Sequence, residues 1–201
     1  MSTFQPAGNY YDKYNTRNPI ARHLMLGFLD AFNSLWRMSG VVQAIEVGCG
    51  EGELSMRMAS AGVRVRAFDI ANDAIAEARK RAKAANLDIG FAALSIQQMK
   101  DIPPSPLVVC CEVLEHLDNP HVGLEMLEAL SSEWLLLSVP REPIWRALNM
   151  MRGKYLGQWG NTPGHVNHWS RKAFIDFVAS RLEIVEVRSP LPWTMLLCKR
   201  R

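Results

Sequence analysis

Short apolar runs alternate along the chain with segments in which apolar residues recur every third or fourth position, and the alternation continues to the C-terminus. It predicts repeated βαβ units, an α/β doubly wound arrangement in which a parallel sheet is covered by helices on both faces. An aromatic start (Tyr10, Tyr11, Tyr14) leads into an amphipathic helix from about Pro19 to Trp36 whose buried stripe includes Leu24, Phe28 and Leu35, and residues 10–37 read as an N-terminal helical unit. The first strand is Val41 to Val47. A helix from Glu53 to about Ala61 follows, with Leu54 and Met58 inward, and Gly62 stops it. The second strand, Val63 to Phe68, ends on Asp69, and the next helix, capped by Asn72 or Asp73, carries Ile75, Ala78, Ala82 and Ala85 on one stripe.

A short strand near Ile89 to Ala93 leads to the most apolar one, Leu107 to Cys111, and a helix from near Pro120 presents Leu124, Leu127 and Leu130. The unbroken apolar character of Leu107 to Cys111 and of Trp134 to Val139 marks strands buried on both faces. A helical piece over Ile144 to Met151, a Gly-rich stretch from Arg152 to His168, a helix opening at Ser170 and strands at Leu182 to Val187 and Trp193 to Cys198 complete the chain.

Composition narrows the picture. With 201 residues, 48% of them hydrophobic, the chain suits one core rather than two, so a single domain over 1–201 is expected. Net charge is only +3, and the Lys and Arg residues are scattered apart from runs such as Arg79-Lys80-Arg81, which sit in an Ala-rich helical pattern and read as a solvated face. A nucleic-acid partner is therefore not favoured. Cys49, Cys110, Cys111 and Cys198 form no CxxC pair, which points to a reducing compartment. Residues Met1 to Asn18 are polar and aromatic, no apolar run approaches spanning length, and a cytoplasmic location is expected.

The chemistry concentrates where the first strand ends, at Glu46-Val47-Gly48-Cys49-Gly50-Glu51-Gly52. Glycines at a strand-to-helix turn let backbone approach a ligand closely and aim helix N–H groups at it. The spacing is GxGxG rather than the GxGxxG of dinucleotide folds, and the acidic Glu46 stands just before it. About twenty residues on, Asp69 ends the second strand, where a carboxylate can accept both ribose hydroxyls. S-adenosylmethionine carries an ammonium and a sulfonium but no phosphate, so acidic residues beside the glycines favour it over NAD.

In these residues the chain resembles the class I S-adenosylmethionine-dependent methyltransferases, from about Tyr10 to Lys199. The matching motifs are Glu46 to Gly52, Phe68-Asp69-Ile70, and Val109-Cys-Cys-Glu-Val-Leu-Glu-His-Leu117, the fourth-strand signature of the small-molecule branch. The branch most resembled is the O-methyltransferases of quinone biosynthesis. The resemblance implies a Rossmann-like seven-stranded sheet, mostly parallel with an antiparallel last strand, which fits a terminal hairpin around Ser189-Pro190. It also implies that Glu46, Gly48, Cys49, Gly50 and Gly52 surround the methionine part of the cofactor, and that Asp69 and Ile70 hold the ribose. Leu94, Ser95 and Ile96 would lie beside the adenine, and Cys111 and Glu112 would flank the amino-acid end. The acidic residue that many relatives place near Ser95 is absent. The Asn/Asp-Pro-Pro-aromatic motif of base and glutamine N-methyltransferases is also absent, which makes an oxygen on a small molecule the default acceptor.

Methyl transfer is an in-line displacement at an already activated carbon, so alignment and exclusion of water are the main demands. A base is needed only where the acceptor holds its proton. Candidates are His116, which could instead serve to set the strand-to-helix turn, and His165 and His168 in Gly164-His-Val-Asn-His-Trp169. Glu112, Glu115 and His116, joined by His165 or His168, also make an oxygen- and imidazole-rich set suited to a divalent metal, a pattern similar to that of metal-dependent small-RNA 2′-O-methyltransferases. The stretch 144–169 concentrates Trp145, Tyr155, Trp159 and Trp169 with Arg146, Arg152 and Lys154 where relatives insert substrate-covering elements. It reads as a lid over a flat or lipophilic acceptor, with Tyr14 closing the other side, or as an insertion whose aromatics pack onto the core. Two further readings stand beside the small-molecule enzyme: an RNA 2′-O-methyltransferase, and a silent cofactor-binding subunit, which would be expected to lose its glycines or its Asp69.

Overall fold

The computed structural model describes residues 18–151, 153 and 155–201; Tyr10, Tyr11, Tyr14, Arg152 and Lys154 lie outside the described residues. Helix α1 (Pro19–Met38) begins where the Asn18 side chain accepts hydrogen bonds from the N–H groups of Ile20 and Ala21 at 3.0 and 3.1 Å, with Pro19 placed where no N–H is needed. Its buried residues, Met25, Phe28, Leu29, Phe32, Leu35 and Trp36, fall on one helical stripe.

Seven strands form one sheet in the order β3-β2-β1-β4-β5-β7-β6. They are β1 (Gln43–Val47), β2 (Arg64–Asp69), β3 (Gly90–Ala93), β4 (Ser105–Cys111), β5 (Ser131–Pro140), β6 (Glu183–Arg188) and β7 (Trp193–Lys199). The first five run parallel, and β7 lies antiparallel between β5 and β6. This is the mostly parallel sheet with a terminal hairpin that the resemblance implied. The remaining helices are α2 (Glu53–Ser60), α3 (Asn72–Ala84), α4 (Pro120–Leu130), α5 (Ile144–Met151) and α6 (Arg171–Ala179).

The two-residue period of the strands divides the interior into two cores. Leu107, Val109 and Cys111 of β4 face one cluster with α1, α2 and α3, whereas Val108 and Cys110 face the other with α4 and α6. β7 repeats the division: Trp193, Met195 and Leu197 face α1, and Leu196 and Cys198 face the opposite side. Both faces being covered is the reason these strands read as continuous apolar runs. Among the described residues no helix is long and apolar enough to cross a membrane.

Four expectations are corrected. Strand β1 opens at Gln43 rather than Val41, and Val42 is 64% exposed, its carbonyl accepting from Arg64 N–H in the approach to the sheet. Helix α3 is capped at Ala71 and not by the side chain of Asn72 or Asp73, because Asp69 Oδ1 already accepts the Ala71 N–H at 2.8 Å. Ala85 lies past the last turn and is exposed, leaving Ile75, Ala78 and Ala82 as the buried stripe. The Arg79 to Lys83 run is only in part a solvated face. Lys80 is exposed, but Arg81 crosses to α2 and pairs with Glu53 at 2.7 Å, and Arg79 donates to the Phe91 carbonyl at 2.6 Å.

Candidate active site

Strand order reverses between β1 and β4, so a crevice opens beyond their carboxyl ends, the usual ligand position in open α/β sheets. The glycine turn forms its floor. Gly48 has φ +77°, and a Cβ built there would stand 2.1 Å from Val113 Cγ2 on the neighbouring β4 turn. Only a glycine fits both the conformation and the space. The turn is tied to β2 by the Gly48 and Cys49 N–H groups, which share the Phe68 carbonyl at 2.7 and 3.0 Å. Beneath it, the buried Glu46 carboxylate accepts a short hydrogen bond from Ser55 Oγ of α2.

Asp69 links the turn to the next loop. Its Oδ2 accepts the Gly50 N–H at 2.7 Å and its Oδ1 the Ala71 N–H at 2.8 Å, leaving lone pairs on both oxygens for further donors. Ile70 is 53% exposed beside it, while Ile96 is buried and Ser95 caps the short 3-10 turn that follows, its N–H held by Gln98 Oε1 at 2.9 Å. The Cys49 thiol is pushed far up by burial, with the nearby Glu46 and Asp69 carboxylates adding to the effect, so it stays protonated and lines the turn as a small apolar group. Burial likewise raises Cys110, and Cys198 to about 12.

At the end of β4, Cys111 is buried and Glu112 turns into the left-handed region with φ +62°. For a non-glycine residue that conformation costs about 1–2 kcal/mol and must be held by its surroundings. The surroundings are visible. The Glu112 N–H donates to the Ser138 carbonyl at 3.0 Å, Ser138 Oγ donates to Oε1 at 3.3 Å, and the indole N–H of Trp193 donates to Oε2 at 2.7 Å.

The sequence left open which loop histidine meets the fourth strand. The loop is laced onto the β4 turn by the N–H groups of Val166 and Asn167, both on the Glu115 carbonyl, and by Asn167 Nδ2 on the Leu117 carbonyl at 2.6 Å. This brings His165 against His116, ring centroids 4.8 Å apart and nearly perpendicular. His116 Nδ1 lies 2.9 Å from the Gly164 carbonyl. Ligand atoms of Glu115, His116 and His165 all fall within 4.8 Å of one another. Glu112 is not in that group, its carboxylate being turned to Trp193 and Ser138.

His168 is not there either. It is exposed, with Nε2 2.8 Å from Asn161 Oδ1, and it stands near Glu142, whose carboxyl burial raises against the opposing pull of the Arg146 N–H and of charges on His168 and Arg146. Trp145 stacks on His165, meets Trp193 edge-on and donates to Thr162 Oγ1 at 2.9 Å. Trp169 packs inward against Phe174 and Phe177, whereas Tyr155 and Trp159 are 40% and 76% exposed. Sequence reasoning missed Ser55, Ser138 and Trp193 as site residues. A serine in the first turn of a helix and a tryptophan opening a terminal strand carry no local mark of what they reach.

Residues 44–132 match a family model described as a methyltransferase domain. Over 103 residues the chain is 32% identical to a ubiquinone biosynthesis O-methyltransferase of Glaesserella parasuis, the match covering 48% of this chain and 44% of that protein. A protein of the same name from Rickettsia akari is 32% identical over 102 residues, 51% of this chain and 40% of its own length. The chain thus spans less than half of these relatives. Among solved structures, magnesium protoporphyrin IX methyltransferase from Synechocystis PCC 6803 with bound S-adenosylhomocysteine superposes with a TM-score of 0.73 at 20% identity, covering 94% of this chain and 91% of the other. An N-methyltransferase from Bradyrhizobium japonicum, in complex with the same product, gives 0.68 at 20% identity, with 96% and 93% covered. Sheet order and glycine turn, with the match of residues 44–132 to a methyltransferase-domain model, show that the chain has the fold of these methyltransferases.

Proposed function

We propose that this chain methylates an oxygen of a small, flat acceptor such as a phenol or catechol, using S-adenosylmethionine, and works as one unit with the 144–169 stretch as its acceptor wall. The observation that carries the reading is the pairing of His116 with His165 on the β4 turn, three residues past Val113, which packs over Gly48. S-adenosylmethionine supplies a methyl group activated by its sulfonium. The residues present fit it: Glu46 and the turn glycines would face the methionine part, Asp69 and Ile70 the ribose, Ser95 and Ile96 the adenine, and Cys111 and Glu112 the amino-acid end.

A carbonyl only accepts, so at the Gly164 oxygen His116 Nδ1 is the donor, and in the neutral ring Nε2 is then the basic nitrogen. A neutral imidazole is the form required to take the proton of an acceptor hydroxyl. Exposed Tyr155 and Trp159 offer aromatic surface to a flat acceptor, while Trp169 serves the core. Four buried thiols suit a cytoplasmic protein.

A metal-assisted version of the same reaction rests on one observation, the convergence of Glu115, His116 and His165. Two imidazoles and a carboxylate fit a divalent transition metal, and an Nδ1 anchored on a carbonyl is how ligating histidines are usually oriented. A divalent ion there would act as a Lewis acid on the acceptor oxygen. Scattered basic residues give no support to RNA as the acceptor.

The test is transfer of labelled methyl to a panel of phenols and catechols, with chelator and added Mg²⁺ or Mn²⁺ as separate arms. A methyl ether is expected, and His116→Ala should slow turnover by about 10²- to 10⁴-fold while S-adenosylhomocysteine still binds. Cofactor binding with no acceptor methylated would favour a silent subunit, and salt-sensitive labelling of RNA would move the acceptor class.

A further inference from the structure

The glycine turn rests on three supports. Gly48 packs against Val113 after β4, Gly50 is tied to Asp69 of β2, and the last stretch, Glu51 and Gly52, meets α3. Gly52 has φ +80°, and a Cβ built there would stand 2.9 Å from Phe91 Cζ and 3.2 Å from Ala78 Cβ of α3. One helical turn beyond Ala78, Arg81 reaches over the same stretch. Its Nη1 donates to the Glu51 carbonyl at 3.3 Å and lies 3.5 Å from the Glu51 carboxylate, while its Nη2 pairs at 2.7 Å with Glu53, the first residue of α2. Arg57 pairs with the other oxygen of Glu53 at 2.8 Å. The Arg81 and Glu53 side chains are only 23% and 15% exposed, so their pairing is screened less than one at the surface.

The start of α3 is fastened as well, since Asp69 Oδ1 accepts the Ala71 N–H at its cap. One helix thus joins the end of β2 to the far side of the glycine turn. A planar guanidinium spans a carbonyl and a carboxylate at once, which a single ammonium does less well.

We propose that Arg81 is a positioning residue: by bridging the Glu51 carbonyl and the Glu53 carboxylate it holds the glycine turn in its binding form before the cofactor arrives, so that cofactor affinity depends on an ion pair within the protein. The inference rests on the methyltransferase reading above. Ordering the turn in advance removes part of the cost of ordering it on binding.

The test is titration calorimetry with S-adenosylhomocysteine and with 5′-methylthioadenosine, a neutral nucleoside thioether that brings no charge of its own for salt to screen. Arg81→Met keeps an apolar stem and removes the fork. It should weaken both ligands about three- to fivefold at low salt, and Arg81→Lys should recover part of the loss. Raising NaCl from about 20 to about 500 mM should weaken 5′-methylthioadenosine roughly twofold in the wild-type protein and leave its binding to Arg81→Met unchanged. Glu53→Gln should resemble Arg81→Met, and combining the two should cost little more than either alone.

Wild-type affinity in Arg81→Met would overturn the inference. So would a loss of affinity that keeps the wild-type response to salt, because a generally weakened fold would produce that result without any ion pair acting on the turn. Should Arg81→Met not fold, Arg81→Lys and Glu53→Gln carry the same comparison. Wild-type protein that binds neither ligand would bring down the methyltransferase reading, and the inference with it, whereas wild-type binding with unaltered variants removes the role of Arg81 alone.

Discussion

Gly48→Ala should nearly abolish cofactor binding and lower the melting temperature by roughly 5–15 °C, the conversion being about 2–4 °C per kcal/mol for a chain of this size. Two costs combine. An alanine at φ +77° is strained by about 1–2 kcal/mol, and its methyl would stand 2.1 Å from Val113 Cγ2. Valine cannot step aside cheaply, because it is stiff at χ1 and its backbone follows the left-handed Glu112. Overpacking of this kind adds about 1–3 kcal/mol. Adding Val113→Ala should recover the part due to the clash and none of the part due to φ, which differential scanning calorimetry of the single and double variants would resolve. A Gly48→Ala protein with wild-type stability and affinity would contradict the packing of the β1 and β4 turns against each other.

Asp69→Ala is expected to weaken S-adenosylhomocysteine by at least tenfold, and 5′-methylthioadenosine, which has the same adenosine without the amino-acid end, by a similar factor. The carboxylate accepts two backbone N–H groups, Gly50 and Ala71, so its removal frees the glycine turn as well as deleting acceptors for the ribose hydroxyls. Hydrogen bonds to a charged group contribute about 1.5–3 kcal/mol each, so losing even one accounts for a tenfold change. Because both ligands carry the ribose, they should lose affinity in parallel. A variant that loses only S-adenosylhomocysteine would move Asp69 away from the nucleoside half.

What the sequence made legible was local. Glu46, the glycines and Asp69 work through the backbone of their own strand ends, so spacing along the chain reports their geometry directly. The alternation of apolar runs and helical stripes located every strand, most plainly β4, β5 and β7, which are sandwiched between two cores and tolerate little polarity, whereas β2 and β6 alternate with charged residues. Element ends were less legible, and α3 shows the reason. A short-range expectation of an Asn or Asp cap lost to Asp69, which reaches the Ala71 N–H from the preceding strand.

The histidines show the same limit on a larger scale. His165 and His168 are three residues apart and chemically alike, and nothing local separates them. Asn167 between them decides the matter by binding carbonyls of the β4 turn some fifty residues earlier, which seats His165 against His116 and leaves His168 beside Asn161. The indole of Trp193 was beyond reach for the same reason: its partner is set by the antiparallel placement of β7 next to β5, a tertiary fact.

The most direct test of the account is calorimetric titration of the purified protein with S-adenosylmethionine and S-adenosylhomocysteine, with NAD as control. Binding of both in the micromolar range, with none of NAD, is the predicted result. Failure of both to bind, or binding of NAD in their place, would contradict it, because the glycine turn with Asp69 tied across it would then be serving another ligand.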